Sequence, residues 1–417
     1  MMNRCIRKCI AGFGKTIYLL SEKTIDLAVI YGRFCSKRRM RQGRLRSLWA
    51  STPILTLPLL ARCDRLLGIE SDSLVFQTYV TSQNFDINLS RYQHFILKYI
   101  PFMYYSFLNF VLAWALVRYD IFHYFCDRGI LACVNGLGIN PDELQYIKRA
   151  NKFLFTYAYG ADVRTQQVTK NLGYYNCCMS CPSPGAHCIC DDEKGAININ
   201  RIRAVATAMN SMGDMMAYVP GARNMHYWPM DLNKIAYVGV RENWKKTTLR
   251  IAHVPNHSHF KGSLYLEQAI EQLRNEGYQI ELLTAKGIPN QKVIELYASA
   301  DIVADQFVIG FHGYAALEAM SLGKPVLCFL RDNQVSPQSL ECPIINVEPE
   351  MIYERLKAIL REEHDLIAIG KNSRAYVEKN YSISNVSKKL GQMYLAYLNP
   401  SISLEKQLIN KLSEEVS

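Results

Sequence analysis

Ala304-Asp305-Gln306-Phe307-Val308-Ile309-Gly310-Phe311-His312-Gly313-Tyr314-Ala315-Ala316-Leu317-Glu318-Ala319-Met320-Ser321-Leu322-Gly323-Lys324-Pro325-Val326-Leu327 reads as strand, glycine-bearing loop, short helix, glycine stop and strand. Gly310 and Gly313 leave the backbone bare where a ligand can approach closely. Ala315, Ala316, Leu317, Ala319 and Met320 are strong helix formers. Gly323 suits a left-handed C-cap, and Pro325 forbids continuation. Backbone N–H groups at such a helix start attract anions, phosphates above all. Glu318 falls just over one turn inside the helix, where its carboxylate can accept hydrogen bonds from sugar hydroxyls.

The alternation continues outward from this stretch. Leu249–Val254 reads as a strand, and Leu264, Leu266, Ala269, Ile270 and Leu273 follow at helical spacing up to a stop at Gly277. Tyr278–Leu283 and Ile302–Asp305 are strands around a helix over Gln291–Ser299. Such repetition predicts a parallel, doubly wound α/β sheet. Ile344 and Ile345 mark a last strand, followed by helices around Met351–Leu360, Asp365–Tyr381 and Val386–Leu398.

The glycine loop, the Leu317-Glu318-Ala319-Met320 helix and the Gly323-Lys324-Pro325-Val326 exit resemble the donor site of GT-B glycosyltransferases, specifically the retaining family-4-like group. The resemblance implies two Rossmann-like domains facing a cleft. It implies transfer of a sugar from a nucleotide-sugar donor to a glycan or lipid-linked acceptor, with retention, in cell-surface polysaccharide synthesis. It places Lys261, Gly310, His312, Gly313, Tyr314 and Glu318 at the donor. Lys261-Gly262 matches the Lys-Gly pair whose Lys binds the diphosphate, and Glu318 matches the glutamate that binds the ribose. The family's second glutamate is Gly310 here, and its Arg five residues before the Lys is Asn256, with His257 and His259 as nearby donors. No cofactor is implied for the transfer itself. The two departures support one rival reading, a non-catalytic protein that binds nucleotide or glycan or acts as a scaffold.

In the first half, Pro53–Leu57 and Ser73–Tyr79 read as strands around a helix over Leu59–Gly68, with Trp49-Ala50-Ser51-Thr52 as a turn. Tyr99–Val117 carries no charged residue over nineteen positions. It reads as a buried or membrane-facing helix leading into the strand Tyr119–Phe125, with a membrane span as the alternative. Lys152–Tyr157 is a strand whose following loop, Tyr159-Gly160-Ala161-Asp162-Val163-Arg164, resembles the cleft-facing His-Gly-Ser-Asp segment of GT-B enzymes. Asp162 and Arg164 are therefore the expected catalytic pair, placed at a strand's carboxyl end. Arg201–Met212 reads as a helix and Asp214–Pro220 as a strand. The expected divisions are a basic extension over 1–46, an acceptor domain over 47–241, a donor domain over 242–385 and a bracing C-terminal helix over 386–417.

Charge is concentrated at one end. The first fifty residues hold twelve Lys or Arg against Glu22 and Asp26, nearly all of the chain's net +11. This is a local basic device, read here as an amphipathic helical region on an anionic membrane surface, which predicts a cytoplasmic protein peripheral at the inner membrane face; a solvated tail partly packed on the first domain is the alternative. No zinc finger, RNA-recognition or helix-turn-helix signature is present, so nucleic acid is not an expected partner. Cys177, Cys178, Cys181, Cys188 and Cys190 form a dense knuckle over 177–190. Cys178, Cys181, Cys188 and Cys190 could hold a structural zinc; a disulfide or free thiols are the alternatives.

Overall fold

The computed structural model describes residues 4–80, 82–133, 138–179, 181–331, 341–398 and 402–413. The first three residues of the basic extension and residues 399–401 and 414–417 of the C-terminal segment lie outside them.

Two parallel sheets organise the chain. The first contains β1 (Arg46–Ser51), β2 (Glu70–Val75), β3 (Ile87–Asn88), β4 (Ile121–Phe125), β5 (Phe153–Tyr157), β6 (Ala208–Ser211) and β7 (Arg223–Asn224), in the order 3-2-1-4-5-6-7. The second contains β8 (Leu249–His253), β9 (Ile280–Thr284), β10 (Ile302–Ala304), β11 (Val326–Cys328) and β12 (Ile345–Asn346), in the order 12-11-10-8-9. The expected α/β architecture of two Rossmann-like domains is what the structure has. In each sheet the order reverses beside the first strand, and ligands of open α/β sheets bind outside the strand ends at such a switch point. In the first sheet this point lies between β1 and β4; in the second it lies between β8 and β10.

Two stretches of the first domain differ from expectation. The central strand is Arg46–Ser51, not Pro53–Leu57, and Trp49-Ala50-Ser51 belongs to it rather than to a turn. Its serines hid it. Ser47 is buried because its hydroxyl donates to Asp64 Oδ2 at 2.5 Å, a partner seventeen residues away. Similarly β6 is Ala208–Ser211, inside the segment expected to be helical, while the helix is Asp192–Arg203. Residues Gly213–Ala217 form a short 3-10 turn in place of the expected strand.

Helix Arg4–Gln42 is one continuous element and packs along helix Tyr104–Arg118. The Ser21 hydroxyl accepts from Asn109 Nδ2 at 2.9 Å, and Arg39 pairs with buried Asp120. No helix among the described residues is long and apolar enough to cross a membrane.

Helix Ile383–Tyr397 returns to the first domain and packs against helix Thr56–Leu66. Tyr394 donates to Asp64 Oδ1 at 2.6 Å, and the same carboxylate accepts from Trp49 Nε1 at 2.8 Å. A satisfied buried network of this kind fixes one packing arrangement. Burial pushes Asp64 up to about 6, against the donors that favour its charge.

Candidate functional site

The loops that follow β8 and β10 meet at the second sheet's switch point. The chain leaves β8 through Asn256–Gly262, where Gly262 adopts a left-handed conformation (φ +67°) and seats the loop on Phe307. The Lys261 carbonyl accepts from the Phe307 N–H at 3.0 Å, which fixes the lysine's backbone against the second loop. Lys261 Nζ then lies 2.6 Å from Asp305 Oδ1 and 3.0 Å from Gln306 Oε1. Asp305 is fully buried at the end of β10, and its other oxygen accepts from the Gly313 N–H. A methyl group added at Gly313 would sit 3.1 Å from Lys261 Nζ. The lysine and the start of helix Tyr314–Ser321 therefore converge on one point.

That helix start is not wholly bare, as the sequence suggested. Asp305 takes the Gly313 N–H, so an incoming anion meets Lys261 and the next N–H groups of the helix beside a buried carboxylate. Those first amides have no partner inside any helix. Helix Tyr314–Ser321 is held by its buried Ala316, Leu317, Ala319 and Met320. Lys324, just past Gly323 (φ +77°), is buried and donates to the Gly239 and Ala300 carbonyls.

Between the sheets lies a cavity of about 540 Å³ whose walls include Thr52, Arg164, Trp228, Lys261, His312 and Gly313. It adjoins a second cavity of about 510 Å³ that shares Leu55, Ser82 and Tyr314 with it. Glu318 opens into that second space. Its Oε1 accepts from Asn290 Nδ2 at 2.7 Å, and burial raises its carboxyl to about 7. Tyr314, between the two, donates to the Pro229 carbonyl at 2.9 Å and so ties the helix start to the crossing segment.

His312 is buried, with Nε2 3.1 Å from the Tyr381 hydroxyl. Burial lowers it to about 4, so the imidazole is neutral at ordinary pH. Gly310 (φ +86°) does not line the cavity. A side chain there would strike the Arg331 guanidinium, which donates to the Ile309 and Tyr175 carbonyls. The missing glutamate's place is thus filled from behind by an arginine.

The expected catalytic pair separates. Arg164 does line the cavity, held by Asp214 at 3.0 Å. Burial opposes its charge, but Asp214 more than offsets this. Asp162 does not line the cavity, which corrects the expectation. Its oxygens accept from the N–H groups of Tyr159, Gly160 and Cys126 at 2.9, 2.8 and 3.2 Å, so the carboxylate is occupied in shaping the loop. Burial pushes it up to about 7.

Two carboxylates escaped sequence reading, one on the cavity wall and one bound to a wall residue. Asp127, two residues past β4, accepts from Thr52 Oγ1 at 2.6 Å across the first sheet's switch point. Asp214 lines the cavity and neutralises Arg164. The available signal for Asp127 was its place at a strand's carboxyl end. For Asp214 there was none, because the strand preceding it was itself misplaced.

Cys178, Cys181, Cys188 and Cys190, the four residues that could hold a zinc, lie around one small space. Among the described residues no group of three or more His, Cys, Asp or Glu is arranged so as to hold a metal ion. The five thiols of the knuckle are not in disulfides and line a small space of about 10 Å³ beside Arg164. Burial pushes Cys177 up to about 12 and Cys188 to about 11. The knuckle spans the cleft. The Cys177 carbonyl lies 2.8 Å from His259 Nε2 of the opposite domain, and the His187 and His257 rings lie 4.1 Å apart between centres, tilted by 36°.

No family model and no curated protein sequence matches the chain. Solved structures do. Sucrose-phosphate synthase from Thermosynechococcus elongatus is similar over 85% of this chain and 99% of its own, with 13% identity and a TM-score of 0.53. Anabaena HepE in complex with UDP-glucose matches over 85% and 99%, with 11% identity and a TM-score of 0.52. An alpha-glucosyltransferase in complex with UDP and a 13-mer DNA matches over 84% and 98%, with 11% identity and a TM-score of 0.51. At such identities the likeness is one of fold: these are GT-B glycosyltransferases, and the chain shares their two-domain arrangement.

Proposed function

We propose that this chain is a glycosyltransferase that moves a hexosyl group from a nucleotide-sugar to a glycan or lipid-linked acceptor, with retention, in cell-surface polysaccharide synthesis. The observation that supports this most is the meeting of Lys261 Nζ with the helix start at Gly313 on the cleft wall. Leaving-group departure creates charge on the diphosphate, and catalysis consists largely of stabilising that charge. In this reading Lys261 and the first amides of helix Tyr314–Ser321 take up that charge. Glu318, opening into the adjoining cavity, accepts the ribose hydroxyls. Arg164, across the cavity, faces the sugar or the acceptor, while Asp214 keeps it in place. The neutral ring of His312 offers a hydrogen bond without adding a competing charge.

Gly310 and Asn256 keep a binding-only reading in play, and one observation favours it: Asp305 already engages both Lys261 and the Gly313 amide. Incubation with UDP-, GDP- and ADP-sugars separates the two. Release of free nucleotide dependent on an added acceptor supports transfer. Binding without release supports the alternative. Absence of any nucleotide-sugar binding, with Glu318→Ala indistinguishable from the native chain, refutes both.

A further inference from the structure

We infer that helices Arg4–Gln42, Ser90–Tyr99 and Tyr104–Arg118 together form a face that lies on an anionic phospholipid bilayer, at headgroup depth and without crossing it. The basic charge of residues 1–46 pointed to a membrane, and the structure extends the face onto two further helices, Ser90–Tyr99, which the sequence left unassigned, and Tyr104–Arg118, read as buried or membrane-facing.

Helix Ser90–Tyr99 carries the argument furthest, since it has no buried residue at all. Tyr92, Phe95, Ile96 and Tyr99 fall at i, i+3, i+4 and i+7 and make one stripe. Tyr92 is 64% exposed and Phe95 55%. Arg91, His94 and Lys98 flank the stripe, and the helix contains no acidic residue. A ten-residue helix is marginal in water without a packed face, so this stripe calls for a covering.

Helix Arg4–Gln42 repeats the pattern. Ser21, Ile25, Ala28 and Gly32 face the protein. On the opposite side Phe13, Leu20, Leu27 and Phe34 recur every seven residues, all exposed, with Lys23 and Arg41 close to the same stripe. The helix lies beside Tyr104–Arg118, which exposes Phe110 and Trp114, and Phe13 meets Phe102 edge-on at 6.5 Å. Exposed apolar surface on this scale marks an interaction site. Tyrosine and tryptophan with an apolar body and a polar tip suit the headgroup boundary.

The charge selects the occupant. Lys15, Lys23, Arg33, Lys37, Arg38 and Arg41, exposed on helix Arg4–Gln42, complement anionic headgroups. Pairing this face with a second copy would bring the same positive helices together and is opposed by repulsion. The face also borders a cavity of about 290 Å³ at the ends of β1, β2 and β4, walled by Gln93, Tyr104 and Asp127. Asp127 in turn binds Thr52 on the cleft wall. A lipid-linked acceptor held in the bilayer would approach the cleft from that side; this last step rests on the glycosyltransferase reading, whereas the docking does not.

The test is flotation of the full chain with vesicles of phosphatidylcholine alone and with about one third phosphatidylglycerol, without donor or acceptor. The native chain is expected to float with the anionic vesicles and far less with the neutral ones. The double variant Phe95→Asp/Tyr99→Asp should lower the bound fraction about tenfold, with unchanged melting and nucleotide-sugar binding. Leu20→Asp/Leu27→Asp should do the same. Flotation of the native chain with neither vesicle, or equal flotation of native and both variants, overturns the inference. So does a dimer in sedimentation velocity that Leu20→Asp/Leu27→Asp dissolves while flotation is unchanged. Nucleotide-sugar binding is measured separately, so loss of one conclusion leaves the other intact.

Discussion

Replacing Lys261 by Met tests the donor site through two separable effects. The ammonium sits 2.6 Å from Asp305 Oδ1, and that carboxylate is fully buried. Breaking a buried pair by removing one partner costs about 3–5 kcal/mol, because the other charge is left uncompensated. Asp305 would keep the Gly313 N–H, and a hydrogen bond to a charged group is itself worth about 1.5–3 kcal/mol. Because that bond is made with or without the lysine, it offsets nothing, and with Lys261 partly exposed the expectation is a loss of about 3 kcal/mol, read as a lower melting temperature by circular dichroism. Lys261→Met/Asp305→Asn removes both charges and should recover most of that loss. It should not recover donor binding. Losing one charge-assisted bond to the diphosphate weakens affinity by about ten- to a hundredfold, measurable by calorimetry with UDP-glucose or whichever nucleotide-sugar binds. A double variant that melts like the native chain and binds the nucleotide-sugar as tightly would refute the assignment of Lys261 to the diphosphate. A single variant that melts like the native chain would refute the reasoning about the pair.

Three further outcomes follow from particular contacts. Burial raises Glu318 from 4.5 to about 7, so the folded chain holds this proton more tightly than the unfolded one. The associated stability is complete below about 4.5 and lost as pH rises through about 7. Glu318→Gln should therefore melt near the native value at pH 4.5 and above it at pH 8, by on the order of 1–3 kcal/mol; equal melting at both ends of the range would contradict this. Tyr394→Phe removes a 2.6 Å donor from buried Asp64 and should cost about 1.5–3 kcal/mol in urea unfolding. An added methyl at Gly32 would stand 2.4 Å from the Leu116 carbonyl oxygen, whereas one at Gly12 meets nothing within 4 Å. Gly32→Ala should destabilise by about 1–3 kcal/mol despite the better helix propensity, and Gly12→Ala should stabilise by up to about 1 kcal/mol. Equal effects would mean the helix pair is not packed as described.

The second domain was legible because local chemistry and tertiary role agree there. Leu249–His253 is apolar and strand-like, and Gly323 and Pro325 mark the end of a helix wherever they stand. In the first domain they disagree. Ser47 in β1 and Asn210 in β6 look like loop residues, yet both are buried in strands, Ser47 with a hydroxyl partner supplied by a distant helix. Resemblance brought Lys261, Gly313 and Glu318 to notice, but nothing in the sequence said that Asp305 would stand between the first two. Asp162 was legible as a polar residue after a strand, not as one whose oxygens turn back onto its own loop. Cysteine spacing singled out Cys178, Cys181, Cys188 and Cys190, while their gathering around one small space beside Arg164 is a tertiary property. The unpacked face of Ser90–Tyr99 had a readable stripe; what could not be read was that no core element would cover it.

The central claim is that the cleft holds the diphosphate of a nucleotide-sugar where Lys261 meets the helix start at Gly313. A crystal structure of the chain soaked with UDP-glucose or another bound nucleotide-sugar measures this directly. The account predicts phosphate oxygens within about 3 Å of Lys261 Nζ and of the first amides of helix Tyr314–Ser321, with the ribose on Glu318. A nucleotide seated elsewhere, with the Lys261–Asp305 pair untouched and Glu318 still bound only to Asn290, would contradict it.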